Sequence, residues 1–205
     1  MEYVDIFDQH RNRIGKATRE EVHKEGFWHQ TFQCWVVMIE QGKIYLLFQH
    51  RHPQKDLFPN LLDISAAGHL LSGETPEDGV REVEEELGLK VEYSDLISVG
   101  IFSEQLVGEA YKDFEHCHVF LYEFEGSIHS FDLQEEEVTG LVKIPFWEWK
   151  ELIEGRKQQM RVTGFQIKDN QKIVKDFTVK KQDFVPHQAE YYQMICDAVE
   201  AEFAK

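Results

Sequence analysis

The sequence predicts one α/β domain, and three observations predict it. The chain has 205 residues, with 42% apolar and 13% aromatic side chains, enough for one sizeable core. Segments with strand character interleave with segments whose apolar residues recur at helical spacing. No internal repeat and no low-complexity linker divides the chain. The single domain over 1–205 is read as an N-terminal hairpin within 1–28, a core over 29–155, and a C-terminal hairpin and helix over 156–205.

The elements follow in order. Residues 3–7 and 13–17 predict a hairpin across the polar turn DQHRN. Residues 29–39, HQTFQCWVVMI, and 43–50, KIYLLFQH, predict a second hairpin around Gln41-Gly42. LLDISAAG, 61–68, reads as one short strand. Residues 96–103 and 116–124 are further strands, and HCHVFLYEF, rich in aromatic and β-branched residues, is the more strongly β-like. Residues 138–144 form another. Pro145 then opens an aromatic helix, FWEWKELIEG. Residues 160–179 alternate about Asp169-Asn170 and predict a hairpin. Pro186 opens a last helix, HQAEYYQMICDAVEAEFAK.

Residues 68–89, GHLLSGETPEDGVREVEEELGL, carry most of the functional information. Thr75 is a natural N-cap, Pro76 suits the first helical position, Asp78 sits where a capping-box acid would sit, and Gly88 is the expected stop. Helical spacing puts Glu82, Glu85 and Glu86 on one face, apart from an apolar stripe of Val80, Val83 and Leu87. Like charges at this spacing repel, by roughly 0.2–0.5 kcal/mol a pair when solvated. A solvated acidic face is the plain reading of EVEEEL alone. The other is a hard divalent cation, Mg²⁺ or Mn²⁺, held by oxygen ligands.

This segment resembles the signature of the Nudix hydrolases, G-x5-E-x7-R-E-U-x-E-E-x-G-U, where U is a bulky aliphatic. Gly68, Glu74, Arg81, Glu82, Val83, Glu85, Glu86, Gly88 and Leu89 match by type, and the box spans about a tenth of the chain. One departure is plain: six residues, not seven, separate Glu74 from Arg81. The resemblance implies a mixed β-sheet between α-helices and a divalent cation on the box helix, at Glu82, Glu85 and Glu86. It also implies hydrolysis of a nucleoside diphosphate linked to another moiety, or of a similar diphosphate. Glu85 and Glu86 are then catalytic, with Arg81 orienting the glutamates by ion pairs. The charge balance agrees. With 38 acids against 22 bases, net −16, the overall field cannot attract such a substrate. Bound cations would reverse the local sign and lower the pKa of a bound water.

A second resemblance is to the Nudix subgroup near isopentenyl-diphosphate isomerase, carried by EVHKEGFWHQTFQCWVV, 21–37, and DISAAGHLLSGE, 63–74. In those isomerases two early histidines and one after the box glycine bind metal, and a cysteine before that glycine is catalytic. Here His69 follows Gly68, but His23 and His29 lie six apart where the isomerases use seven. Ala67 stands in the cysteine's place, and an alanine moves no proton. The full acidic box also favours hydrolysis. Gly68 and His69 are therefore candidate substrate contacts, His69 alternatively a metal ligand. Glu115, which begins a Glu-His pair like one in the isomerases, is the first candidate for an acid assisting from outside the box. Glu104 and Glu109 are its rivals. Arg51, at a strand end, is a candidate phosphate contact by its fork geometry. His116 and His118 alternate on one strand face and are read as lining a cleft. Phe146, Trp147, Trp149, Tyr191 and Tyr192 either pack the core or stack a base, and helical spacing favours the core.

The remaining features exclude classes of function. No run of about 20 apolar residues crosses a membrane, and the charged start of the chain lacks a signal region. No basic patch suits nucleic acid. Cys34, Cys117 and Cys196 are widely spaced, without CxxC, and read as buried thiols of a reducing cytoplasm. The expected partner is a small-molecule diphosphate, with a homodimer open as an assembly. A ligand-binding module without turnover is the alternative to a hydrolase, and an isomerase a further one.

Overall fold

The computed structural model describes residues 2–108, 111–169 and 171–204. Along the chain run β1 (Tyr3–Phe7), β2 (Arg13–Thr18), α1 (Arg19–Glu25), β3 (Trp28–Glu40), β4 (Lys43–Arg51), β5 (Leu62–Asp63) and β6 (Ala66–His69). After them come α2 (Arg81–Leu87), β7 (Ile97–Val107), β8 (Lys112–Glu123), β9 (Val138–Pro145), α3 (Phe146–Ile153), β10 (Met160–Lys168), β11 (Gln171–Val179) and α4 (Ala189–Phe203). The strands join into one mixed sheet whose main path is β11-β10-β9-β4-β3-β1-β2. This is the predicted α/β class, with four α-helices among the described residues.

Strand β3 organises the sheet. It runs antiparallel to β4 over Val37–Glu40 and to β6 over Thr31–Cys34, and parallel to β8 over Trp28–Val37. Its residues alternate between two cores, as the period of two in a strand requires. Phe32, Cys34, Val36 and Met38 pack with Val83 and Leu87 of α2. Trp35 and Val37 pack with Trp149 of α3 and Tyr191 and Ile195 of α4. Burial on both faces explains its near-continuous apolar run. On the α4 side, β3 begins with polar residues, His29, Thr31 and Gln33, before turning apolar at Trp35. Strand β8 does the same, with Asp113 and Glu115 ahead of Cys117, Val119 and Leu121. Because the two strands are parallel and in register, with His29 opposite Glu115, their polar stretches lie side by side.

Four expectations change. LLDISAAG is two strands, β5 on β4 and β6 on β3. Between them Ser65 leaves the ladder: its hydroxyl donates to Leu47 O and accepts from Val36 N at 2.8 Å. Helix α1 was not predicted; Thr18 caps it through a full capping box with Glu21. The box helix does begin from a Thr75 turn, with Asp78 Oδ2 accepting from Thr75 N and Oγ1 at 2.8 Å each. One 3-10 turn over Asp78–Val80 intervenes before α2. Helix α4 starts at Ala189, after Pro186, because Gln188 N is drawn to Glu104 Oε1 at 2.6 Å. Asn170, at the tip of the last predicted hairpin, lies outside the described residues.

Candidate functional site

The box helix is docked by close contact. Gly68 faces Glu82 so tightly that a Cβ there would lie 2.1 Å from Glu82 Cδ. Gly88 stops α2 in the left-handed region, φ 65°, and its N–H returns to Glu84 O at 2.9 Å. Arg81 is the hub of the segment. Its guanidinium donates to both oxygens of Glu74, Nε and Nη2 at 3.1 Å each, to Glu85 Oε2 at 3.1 Å and to His69 O at 3.1 Å. It also lies 2.5 Å from Glu82 Oε1. Glu74 thus reaches Arg81 with two parallel bonds despite the shorter turn, and accepts from Leu71 N as well at 2.7 Å.

A cavity of about 320 Å³ opens beside this helix. Of the site residues expected from the sequence, Arg51, Gly68, His69, Arg81, Glu82, Glu85, Glu86 and Glu115 line it. Glu86 is 4% exposed and accepts from Gln49 Nε2 at 3.1 Å and from Ala67 N at 3.0 Å. Burial, helped by the charges of Glu82 and Glu137, lifts its carboxyl to about 8 against the pull of Lys55. Burial chiefly, with Glu85 and Glu74 adding, lifts Glu82 to about 7 although Arg81 opposes it. Glu85 stays half-exposed at the rim. Burial thus holds both carboxyls toward their neutral form, against the neighbouring Arg81 and Lys55.

A second cluster lies on the cavity's other wall. His23 of α1, His29 of β3 and His69 of β6 bring ring nitrogens together, His23 Nε2 lying 3.3 Å from His69 Nε2. His29 Nε2 lies 3.6 Å from Asp113 Oδ1 and 3.8 Å from Glu115 Oε1. His29 is fully buried, which takes its imidazole down to about 4 even with Asp113 beside it. Burial, with the neighbouring His29, holds His69 well below the ordinary range. These two rings are therefore neutral, the form that donates a lone pair to metal. Burial also pushes Glu115 well up, with Asp113 adding to the effect. His29 Nε2 and Asp113 Oδ1 are buried without a hydrogen-bond partner. Such orphaned atoms are costly unless something binds them. Three imidazoles and two carboxylates fit a divalent transition-type cation, and the oxygen-only box acids fit Mg²⁺ or Mn²⁺.

Arg51 turns inward at the same cavity. Nη1 donates to Asp63 Oδ2 at 2.7 Å, while Nε and Nη2 hold the carbonyls of Leu57 and Phe58. Asp63 in turn meets His187 Nε2 at 3.1 Å, and His187 Nδ1 meets Glu104 Oε2 at 2.7 Å. Although burial works against the charge, Glu104 and Asp63 raise His187 to about 10, so the imidazolium sits between two carboxylates. Glu104 is thus engaged with His187. Glu109 lies outside the described residues.

One expectation is corrected. His116 and His118 face away from the cavity, because alternation puts them opposite Asp113, Glu115 and Cys117. His116 is buried and stacks on Trp28 with ring centroids 4.5 Å apart. Sequence reasoning missed Asp113 and His187. Asp113-x-Glu115 is a two-residue period on one strand, a usable signal once β8 is extended upstream; His187 had none. Phe146, Trp149, Tyr191 and Tyr192 pack the core, while Trp147 is 49% exposed. Among the described residues no helix is long and apolar enough to cross a membrane.

A family model described as the NUDIX domain matches residues 28–163. An uncharacterised Nudix hydrolase of Clostridium acetobutylicum is 42% identical over 199 residues, covering 97% of this chain and 97% of that one. The uncharacterised Nudix hydrolase YfcD of Escherichia coli is 31% identical over 141 residues, 67% of this chain and 71% of its own. Among solved structures, a Deinococcus radiodurans protein superposes with a TM-score of 0.57 at 21% identity, over 75% of this chain and 90% of that one. A MutT/nudix family protein of Enterococcus faecalis superposes with a TM-score of 0.52 at 12% identity, over 84% and 62%. At these identities the two structures speak to the fold.

Proposed function

This chain belongs to the Nudix hydrolase family, and from that premise we propose that it hydrolyses a diphosphate linkage in a small organic molecule, using Mg²⁺ or Mn²⁺. The observation that carries this reading is the pair of box carboxyls, buried Glu86 and part-buried Glu82, set around Gly68 with Arg81 tied beside them. Glu82, Glu85 and Glu86 would hold the cation, which supplies charge neutralisation and an acidified water when bound. Arg81 fixes the directions of Glu74, Glu82 and Glu85 and keeps their oxygens from relaxing apart. Gly68 leaves the room in which Glu82 sits, and Ala67 N–H orients Glu86. Glu115 is the acid outside the box. With His23, His29, His69 and Asp113 it offers a second place for a cation, or it takes the proton of an attacking water through Oε1. Arg51 shapes the wall where phosphate would lie, holding the 57–58 carbonyls while its charge is paired with Asp63. The substrate is anionic and the cavity acidic, so binding and turnover both depend on the cations.

The subgroup near the isomerases is the second resemblance this reading inherits, and the histidine cluster supports it. Isomerisation is nonetheless left out, because Ala67 offers no group to move a proton. The test is a panel of nucleotide sugars, dinucleotides and isoprenoid diphosphates with Mg²⁺ or Mn²⁺, read as phosphate products. One or more should be cleaved, with no dimethylallyl isomer formed from isopentenyl diphosphate. Tight binding without any product would make this a binding module, and isomer formation would overturn the hydrolase reading.

A further inference from the structure

Glu115 is reached from behind by a chain of hydrogen bonds that begins outside the family-matched segment. Tyr191 lies on α4, well past residue 163, where the NUDIX match ends. Trp35 Nε1 donates to the Tyr191 hydroxyl at 3.0 Å. An indole N–H can only donate, so the tyrosine oxygen accepts there and its one proton is left for another partner. That partner is Gln33 Oε1, at 2.6 Å. With its oxygen taken, the Gln33 amide must present its NH₂ to the other side, where Nε2 donates to Glu115 Oε2 at 3.3 Å. Thr31 Oγ1 donates to the same oxygen at 3.2 Å, and Cys117 Sγ at 3.4 Å. Three donors converge on Oε2. Oε1 is left facing His29 Nε2. Tyr191, Trp35 and Gln33 are each almost fully buried, and His187 stacks on the Tyr191 ring at 4.7 Å.

We infer that Tyr191 is a positioning residue of the active site: through Gln33 it fixes the Glu115 carboxyl so that Oε1 is the free atom offered to a cation or an attacking water. This rests on the reading of Glu115 as a working acid of the hydrolase. The physical content is the direction of one amide. Without the Tyr191 hydroxyl, Gln33 is free to turn its carbonyl toward Glu115. Oε2 then loses a donor, and the carboxyl is no longer held in a single rotamer. Partners that orient a metal-binding group in this way are commonly worth about 10- to 100-fold in metal affinity or activity.

A buried core tyrosine would also explain the bonds, so the test pairs two variants on one helix. Tyr191→Phe removes the hydroxyl of the relay. Tyr192→Phe removes a neighbouring buried hydroxyl, whose proton goes to Val185 O at 2.6 Å and which has no link to Glu115. Both should lower the melting temperature by similar amounts. Mn²⁺ alone is titrated into parent and variants by calorimetry, and kcat and KM are measured on the most rapidly cleaved diphosphate of the panel. Tyr191→Phe should weaken Mn²⁺ binding and lower kcat by about tenfold or more, with KM within about twofold, because the hydroxyl touches no substrate. Tyr192→Phe should match the parent in all three. Parental Mn²⁺ affinity and kcat in Tyr191→Phe would overturn the relay alone, as would equal losses in both variants. A parent that binds no Mn²⁺ and cleaves nothing would overturn the proposed function, and the relay with it.

Discussion

A single methyl group at Gly68 is enough to test how closely the box is built. The Cβ of Gly68→Ala would lie 2.1 Å from Glu82 Cδ and 2.3 Å from its Oε2. Glu82 is held by Arg81 and cannot simply swing clear, so the helix or the carboxyl must shift. Mg²⁺ or Mn²⁺ affinity should fall by about tenfold or more, read by calorimetry. Retained affinity would remove Glu82 from the ligand set. Glu86→Gln asks a different question. Gln keeps an oxygen to accept from Ala67 N–H, and its helix propensity is close to that of Glu. The fold should survive, while kcat drops on the order of 10²–10⁴ if Glu86 serves the chemistry. An unchanged kcat on the best panel substrate would take the box out of the active site. At this scale the sequence was most legible where one segment carries its own spacing. Glu82, Glu86 and Arg81 could be placed by counting along a helix. Asp113 and His29 could not, because their meeting depends on β3 and β8 lying parallel, nor could His23, which the docking of α1 brings to them; no local pattern reports either packing.

At the level of elements, α1 is the one the pattern missed and the site needs. It has seven residues and one buried side chain, Val22, too few for an apolar stripe to show. Its signal was the capping box, Thr18 with Glu21, closed in both directions. Thr18→Ala should cost about 1 kcal/mol and lower the melting temperature measurably. It should also loosen His23, which α1 delivers to His69, and so weaken binding of a cation at the histidine cluster. Equal metal affinity with a lower melting temperature would separate the helix from the site. LLDISAAG reads as one strand because it holds no glycine or proline before Gly68 to mark a break. What divides it is Ser65, whose hydroxyl substitutes for the ladder between two neighbours, and that substitution needs the neighbours to be seen. The hairpins β1–β2, β3–β4 and β10–β11 were legible because alternation and turn residues are local properties.

For the molecule as a whole, the site opposes the fold when no cation is present. Glu82 and Glu86 titrate at about 7 and about 8 in the folded protein, above the ordinary carboxyl value of 4.5. Between those values the unfolded chain has given up protons that the folded one still holds. The contribution of Glu82 and Glu86 to the stability of the metal-free protein should therefore fall as pH rises from about 5 to 8, by up to about 1.4 kcal/mol per pH unit for each such group. His187 adds to the same slope from a stabilising position: its contribution is complete below about 6.5 and is lost progressively as pH rises toward about 10. Buried His29 and His69, both held below 6.5, oppose this slope in the acid range, so melting curves should slope downward from pH 6.5 to 8 without divalent ions, and saturating Mg²⁺ should raise the melting temperature more at pH 8 than at pH 6.5. A flat metal-free profile would contradict the raised carboxyls. The parallel pairing of β3 with β8 also sets when, during synthesis, the protein can first work. Trp28 finds Phe114 only after the entire box has been made, and Tyr191 arrives later still. A chain leaving the ribosome therefore carries its acidic helix for seconds before Asp113 and Glu115 can join the histidines beside it. A hydrolase that relies on Glu115 cannot act while half-made.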